Sequence, residues 1–327
     1  MNTFSTSALT CFCSAILAVI PGLPAIGQQN NDFQTVIRQG AVILEEEYDL
    51  EGLKIPIEQI HRLLPKDAIP ALTDPKRETL DKSKWLKPDS RIIVVELGGE
   101  VLGVPLQILD QHEIVNTTLN EVPVAITYCP LCDSATVFSR TVKDKDGKEI
   151  ILEFGVSGAL FNSNVLMYDR TNQGLWSQLG MEAISGPLVG TELAMLPVKL
   201  ENFRQFARSN PEAKVVSRDT GHRRNYSNSV YSNYFATDEL MVPVFSYGNE
   251  LPRKTLGVGI ATDKNAWFIA SDQIDGIRNV ETPLGTVTLS KSEAGIQVSS
   301  LPDGVRVAQT YYYSWSAFYP DTKIVKE

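Results

Sequence analysis

The stretch "VAITYCPLCDSATVF", residues 124–138, carries the reading of this chain. Two runs rich in Val, Ile, Thr and aromatic residues flank Cys129-Pro-Leu-Cys132. Such runs favour strands, and the Pro between them favours a turn. The segment therefore predicts a strand–turn–strand hairpin that holds two thiols at its tip. The pattern repeats outward. "RIIVVELGGEVLGVPLQIL" (91–109) places Gly98-Gly99 between two apolar runs, a hairpin signal. "ATVFSRTV", "KDKDGK" and "EIILEFGV" read strand, turn, strand. "LENFRQFARSNPEA" reads as a helix that ends at Asn210-Pro211. The expected fold is mainly β (α+β), an antiparallel β-rich globular fold with a few short helices. Residues 91–109 and 254–274 also echo one another, with Val95 meeting Val258 and Leu106 meeting Ile269. Either a duplicated hairpin unit or two generic hairpins accounts for that.

The 327 residues divide into three parts on this reading. Residues 1–27 contain no charged side chain, and 8–20 form an apolar run followed by Pro-Gly and then Ala25-Ile26-Gly27. That is the layout of a signal peptide, although its first residues lack Lys and Arg, and the run is too short for a membrane span. The expectation is an exported protein, periplasmic or extracellular, with no transmembrane span in the mature chain. Residues 28–90 form an N-terminal extended, wrapping segment punctuated by Pro56, Pro65, Pro70, Pro75 and Pro88. Residues 91–327 form the β domain, and its closing aromatic run, "TYYYSWSAFYP", reads as core packing. A net charge of −9 and an isoelectric point near 5.0 exclude a nucleic-acid partner. A small molecule or an envelope protein is the partner expected.

Cleavage of the first part would remove Cys11 and Cys13 and leave Cys129 and Cys132 as the only cysteines. A bridge over so short a loop stabilises little, so a purely structural disulfide explains the pair poorly. Two chemical roles remain. A thioredoxin-like pair needs a helix at or just after Cys132, where the helix N-terminus lowers a thiol pKa. "DSATVFSRTV" disfavours helix, so a hairpin knuckle that aims both thiolates at one metal ion is the leading expectation. The further ligands expected are His112, in "DQHEIVN", and His222, in "SRDTGHRRNYSN", with copper or zinc as the ion. His61 reads as a surface or packing residue at a helical position. A polar cluster in "FGVSGALFNSNVLMYDRTNQGLWSQLG" (154–180) offers Ser157, Asn162, Trp176 and Gln178 as cofactor- or ligand-binding residues. Neither catalytic residues nor a reaction can be read from these segments. Three readings stay open: a metal site, a thiol–disulfide enzyme, and a non-catalytic ligand- or partner-binding module.

"VPLQILDQHEIVNTT", "PVAITYCPLCDSATVFSR", the 154–180 segment, "AISGPLVGTEL" and "VVSRDTGHRRNYSNSVY" resemble, in this order, the motifs of the domain of unknown function 3179 family. "KDAIPAL" and "AFYPDT" are similar to its flanking segments. The resemblance implies an exported or envelope-associated protein and assigns no reaction. It places the family's His-Glu on His112 and Glu113, and its cysteine pair on Cys129 and Cys132. Its Ser-Gly falls on Ser157 and Gly158, its Trp-Ser-Gln on Trp176 to Gln178, and its Asp-Thr-Gly-His on Asp219 to His222. Two positions depart from the family pattern. Thr117 replaces an Asp, and Asp133 replaces the Gly after the second cysteine, where Gly best tolerates positive φ.

Overall fold

In a computed structural model that describes residues 42–292 and 295–326, strands dominate and every helix is short. The mainly β, antiparallel expectation holds. The proposed signal peptide lies outside the described residues. No described helix is long and apolar enough to cross a membrane.

The hairpin around Gly98-Gly99 is formed by β1 (Arg91–Leu97) and β2 (Glu100–Pro105), and both glycines have positive φ. A single helical turn, α1 (Leu106–Leu109), leads into the meander β3 (Ile114–Leu119), β4 (Val122–Cys129) and β5 (Ser134–Ser139). An excursion follows, built on β6 (Phe154–Phe161), β7 (Asn164–Asp169) and β8 (Leu175–Ser177). The chain returns as β9 (Lys199–Asn202), α2 (Phe203–Ser209) and β10 (Lys214–Val216). Asn202 caps α2 by accepting a hydrogen bond from the Gln205 amide, and the helix stops at Asn210, as the sequence predicts.

After a long irregular stretch that contains only α3 (Ser232–Phe235), the same order of elements recurs. A hairpin of β11 (Leu256–Ala261) and β12 (Ala266–Ala270) leads through a 3-10 turn at Ser271–Gln273 to a second meander. This consists of β13 (Ile277–Thr282), β14 (Gly285–Ser292) and β15 (Gly295–Ser300). Then come β16 (Arg306–Tyr311), α4 (Tyr312–Phe318) and the short β17 (Lys323–Ile324). The two passes exchange places between two eight-stranded sheets. One sheet runs β13-β14-β15-β9-β1-β2-β10 and ends on the strand Arg77–Thr79. The other begins on Leu72–Thr73 and runs β3-β4-β5-β16-β11-β12-β17. In each sheet the hairpin of one pass and the meander of the other flank a single strand, β9 or β16. β10 and β17 add in parallel to β2 and β12 respectively.

Apolar residues at alternate strand positions fill the space between the sheets. One cluster holds Ile93, Val95, Val104, Val115, Ile126 and Val137, and another holds Val258, Ile260, Ile269, Val287, Leu289 and Val307. The excursion forms a third, five-stranded sheet. This sheet includes the strand Ile60–Arg62, which corrects the helical placement of His61; its ring stacks on Phe245 at 5.6 Å.

Candidate functional site

β4 and β5 pair from Val124↔Ser139 down to Cys129↔Ser134, so residues 130–133 form the turn that joins them. The hairpin expected from the sequence is present, and a strand follows the cysteines where a thioredoxin-like site would have a helix. The turn needs a left-handed residue at its end. Asp133 takes φ 48°, and the cost is offset locally. Both carboxylate oxygens accept from the Arg91 guanidinium, at 2.8 and 3.0 Å, and Oδ1 also accepts from the Tyr128 hydroxyl at 2.7 Å.

Cys129 and Cys132 are 1% and 0% exposed, and their sulfurs stand 3.5 Å apart as free thiols. Three elements remote in sequence close around them. The hairpin β6–β7 turns through Asn162 and Ser163, both with positive φ, which is the two-residue turn that suits a twisted hairpin. Its tip presents the Ser163 carbonyl, 3.0 Å from the Cys132 sulfur, and the Asn164 amide nitrogen, 3.6 Å from it. The start of α4 contributes the Ser314 hydroxyl, which donates to the same sulfur at 3.1 Å, and the Tyr313 hydroxyl at 3.9 Å. Tyr234 and Val242, from the irregular stretch before β11, pack over the pair, and the Tyr234 hydroxyl donates to the Leu131 carbonyl.

The two sulfurs differ electrostatically. Burial pushes the Cys129 thiol well above its ordinary range, and neighbouring Cys132 adds to the shift. Burial also opposes ionisation of Cys132, but donors outweigh it. The Cys129 thiol, the Ser314 hydroxyl and the Asn164 amide all favour an anion there, and the net direction is downward. The Ser163 carbonyl is the one close group that favours the protonated thiol. Behind the pair, burial pushes the Glu113 carboxyl well up, with Cys129 and Asp110 reinforcing it, and burial raises Asp110 to about 7.

A second polar layer fixes these donors. Gln178 Oε1 accepts from Asn164 and from Ser134, each at 2.7 Å, while its amide donates to Thr127 Oγ1 and the Ser134 carbonyl at 3.1 Å. Gln178 is therefore the one expected ligand-cluster residue that reaches the site, and it acts by orienting Asn164. The other three serve the fold. Ser157 ties β6 to β7 at the β6 bulge, where its Oγ accepts from the Ala159 amide and donates to the Leu166 carbonyl. Asn162 forms the turn and donates to the Ala317 carbonyl. Trp176 is fully buried in the core, with its indole N–H on Asp169.

The histidines gather elsewhere. His112 donates from Nδ1 to the Pro70 carbonyl at 2.7 Å, so Nε2 accepts from the Tyr226 hydroxyl at 2.6 Å. Thr220 meets Tyr226 in turn at 2.7 Å. Burial holds His112 down to about 4, so the ring is neutral. His222 is exposed, and its ring lies 5.2 Å from that of His112. The sequence-stated set of Cys129, Cys132, His112 and His222 thus separates into a sulfur pair and a histidine pair. Both nitrogens of His112 are engaged by hydrogen bonds. Among the described residues no three His, Cys, Asp or Glu side chains converge as metal ligands. The residues that sequence reasoning missed are Tyr313 and Ser314, read there as part of an aromatic core run. A Ser inside "YYYSWS" carries no local sign that it will meet a cysteine 182 positions away.

Comparison with curated proteins found no match, and comparison with solved structures found none. A family profile described as "Protein of unknown function (DUF3179)" matches residues 66–300, which spans the first pass, the excursion and the second pass as far as β15. The ordered motifs, the dithiol hairpin among them, lie inside that span, and the chain belongs to the DUF3179 family.

Proposed function

We propose that the protein is a thiol–disulfide oxidoreductase whose reacting pair is Cys132 and Cys129. The carrying observation is the asymmetry of the pair: two sulfurs 3.5 Å apart, with the donors gathered on Cys132. Cys132 is the nucleophile. Its thiolate attacks one sulfur of a small disulfide, forms a mixed disulfide and expels the first thiolate. Cys129 then gives up its proton to the solvent or leaving group and attacks the Cys132 sulfur. The second substrate thiol leaves, and a Cys129–Cys132 bridge remains, for which the sulfurs must close to about 2.05 Å. The substrate gains the two electrons that the protein loses. The buried position of both sulfurs favours small disulfides over protein substrates. An exported address, as expected from residues 1–27, suits such chemistry because disulfides persist in oxidising compartments.

The test is trapping. Full-length protein incubated with hydroxyethyl disulfide should lose both thiol hydrogens and give a Cys129–Cys132 linked peptide in mass spectrometry. Cys129→Ser should accumulate the mixed disulfide on Cys132, and Cys132→Ser should trap nothing on Cys129. Equal trapping on either cysteine, or none, would end the proposal.

Copper(I) binding is a second reading, supported by the same adjacency of two soft, buried sulfurs, which are suitable donors for that ion without help from imidazole. It requires stoichiometric copper after anaerobic reconstitution, lost in either Cys→Ser variant and kept in His222→Ala. Substoichiometric copper in the wild type removes it.

A further inference from the structure

The walls that enclose the two sulfurs are not held equally. The β4–β5 turn and the β6–β7 tip belong to sheets, and α4 runs straight on from β16. The remaining wall is the irregular stretch between β10 and β11, which contributes Tyr234 and Val242. Among the described residues, the backbone–backbone hydrogen bonds of residues 230–250 all lie within 231–237, in and beside α3. Side chains tie this wall to the body. The Tyr234 hydroxyl donates to the Leu131 carbonyl at 2.9 Å, Lys254 donates to the Tyr234 and Thr237 carbonyls, and the Ser316 hydroxyl accepts from the Gly248 amide. A segment tied by so few bonds opens at lower free energy than a strand in a ladder. With the sulfurs 1% and 0% exposed, a substrate reaches Cys132 by displacing this wall.

The face that this wall turns to the sulfurs is apolar. Leu160, Val165, Tyr234 and Val242 pack with Cys129 and Cys132 in one hydrophobic cluster, and Tyr231 and Phe235 lie half-buried against it. The Tyr234 hydroxyl is committed to the Leu131 carbonyl, which also accepts from Tyr313 at 2.9 Å. Two cations stand at the margins, and both are engaged. Arg91 is held by both oxygens of Asp133, and Lys254 spends two of its three protons on carbonyls while lying 3.4 Å above the Tyr234 ring. A charged substituent brought against this face would lose its water and gain no partner, which is costly. An apolar substituent gains by the same burial.

Resting on the exchange chemistry proposed above, we infer that the substrates are small uncharged disulfides with apolar substituents, which enter where Tyr234 and Val242 lift away and pack against that face. The bonds are those already described: a bond from the Cys132 sulfur to one substrate sulfur forms, the substrate S–S bond breaks, and the other half leaves as a thiolate that takes up a proton. The test uses four aliphatic disulfides of similar size that differ at their ends: diethyl disulfide, hydroxyethyl disulfide, cystamine and 3,3′-dithiodipropionate. Mixed-disulfide formation on Cys132 is timed by mass spectrometry in full-length Cys129→Ser protein, and each rate is divided by that of 2-mercaptoethanol with the same probe. Diethyl disulfide should exceed cystamine and dithiodipropionate by about tenfold or more, with hydroxyethyl disulfide between them. Val242→Thr, which keeps the shape of the wall and adds a hydroxyl, should narrow the gap between diethyl and hydroxyethyl disulfide several-fold. Equal normalised rates, a charged probe that reacts fastest, or a gap indifferent to Val242→Thr would overturn this inference and leave the exchange reading standing. No mixed disulfide on Cys132 with any of the four would overturn both.

Discussion

Ser314→Ala removes the closest hydrogen-bond donor to the Cys132 sulfur, at 3.1 Å, and leaves the fold of α4 otherwise intact. A hydrogen bond to a charged group contributes roughly 1.5–3 kcal/mol. One pKa unit corresponds to about 1.4 kcal/mol, so the Cys132 pKa should rise by about one to two units. The measurement is the ultraviolet absorbance of the thiolate against pH, in protein in which Cys129, Cys11 and Cys13 are replaced so that a single thiol titrates. Ser316→Ala is the control. Its hydroxyl donates to the Tyr312 carbonyl at 2.9 Å and lies two residues along the helix from the sulfur's donor, so no shift is expected. Stability must follow the same sign. A thiol whose folded pKa is depressed stabilises the fold above its unfolded pKa, about 8.5, and the contribution fades as pH falls through the folded value. The penalty of Ser314→Ala should therefore be larger in alkaline than in acidic buffer. A pKa that stays put or falls, or a penalty that ignores pH, would refute the assignment of Cys132 as the stabilised anion.

Three further outcomes follow from named contacts. Arg91→Met leaves the buried Asp133 carboxylate without its cation and should cost about 3–5 kcal/mol in urea unfolding, while Arg91→Met with Asp133→Asn should recover part of the loss. His112 is held neutral well below its ordinary value near 6.5, down to about 4, so the unfolded chain binds a proton in that window that the folded chain does not. Stability should decline from about pH 6.5 to about 4, and His112→Gln should flatten the profile there; an unchanged slope would contradict it. Lys254 lies 3.4 Å above the Tyr234 ring and donates to the Tyr234 and Thr237 carbonyls, which pins α3 over the thiols. Lys254→Ala should speed iodoacetamide alkylation of the native protein several-fold with little change in global stability, because few buried contacts hold that stretch.

The local readings came from residues whose conformations are fixed by near neighbours. The β-branched runs on either side of Cys129 and Cys132, the glycines at 98 and 99, and the Asn-Pro stop after α2 each determine their own backbone without help from the rest of the chain. This is why the β-rich class and the dithiol turn were legible. Which side chains reach the sulfurs was not. Asn164, Tyr313 and Ser314 approach Cys132 because the tip of one sheet's hairpin and the end of another sheet's strand meet the β4–β5 turn. The same packing sends His112 to Pro70 and Tyr226 instead of to the thiols. Strand alternation tells which face a residue takes, but register and sheet order choose its partners, and those are settled only by burial of the whole core. The sequence by itself determined a pair of thiols on a hairpin; the tertiary structure alone decided which of them is surrounded by donors, since those donors come from segments up to 182 residues away.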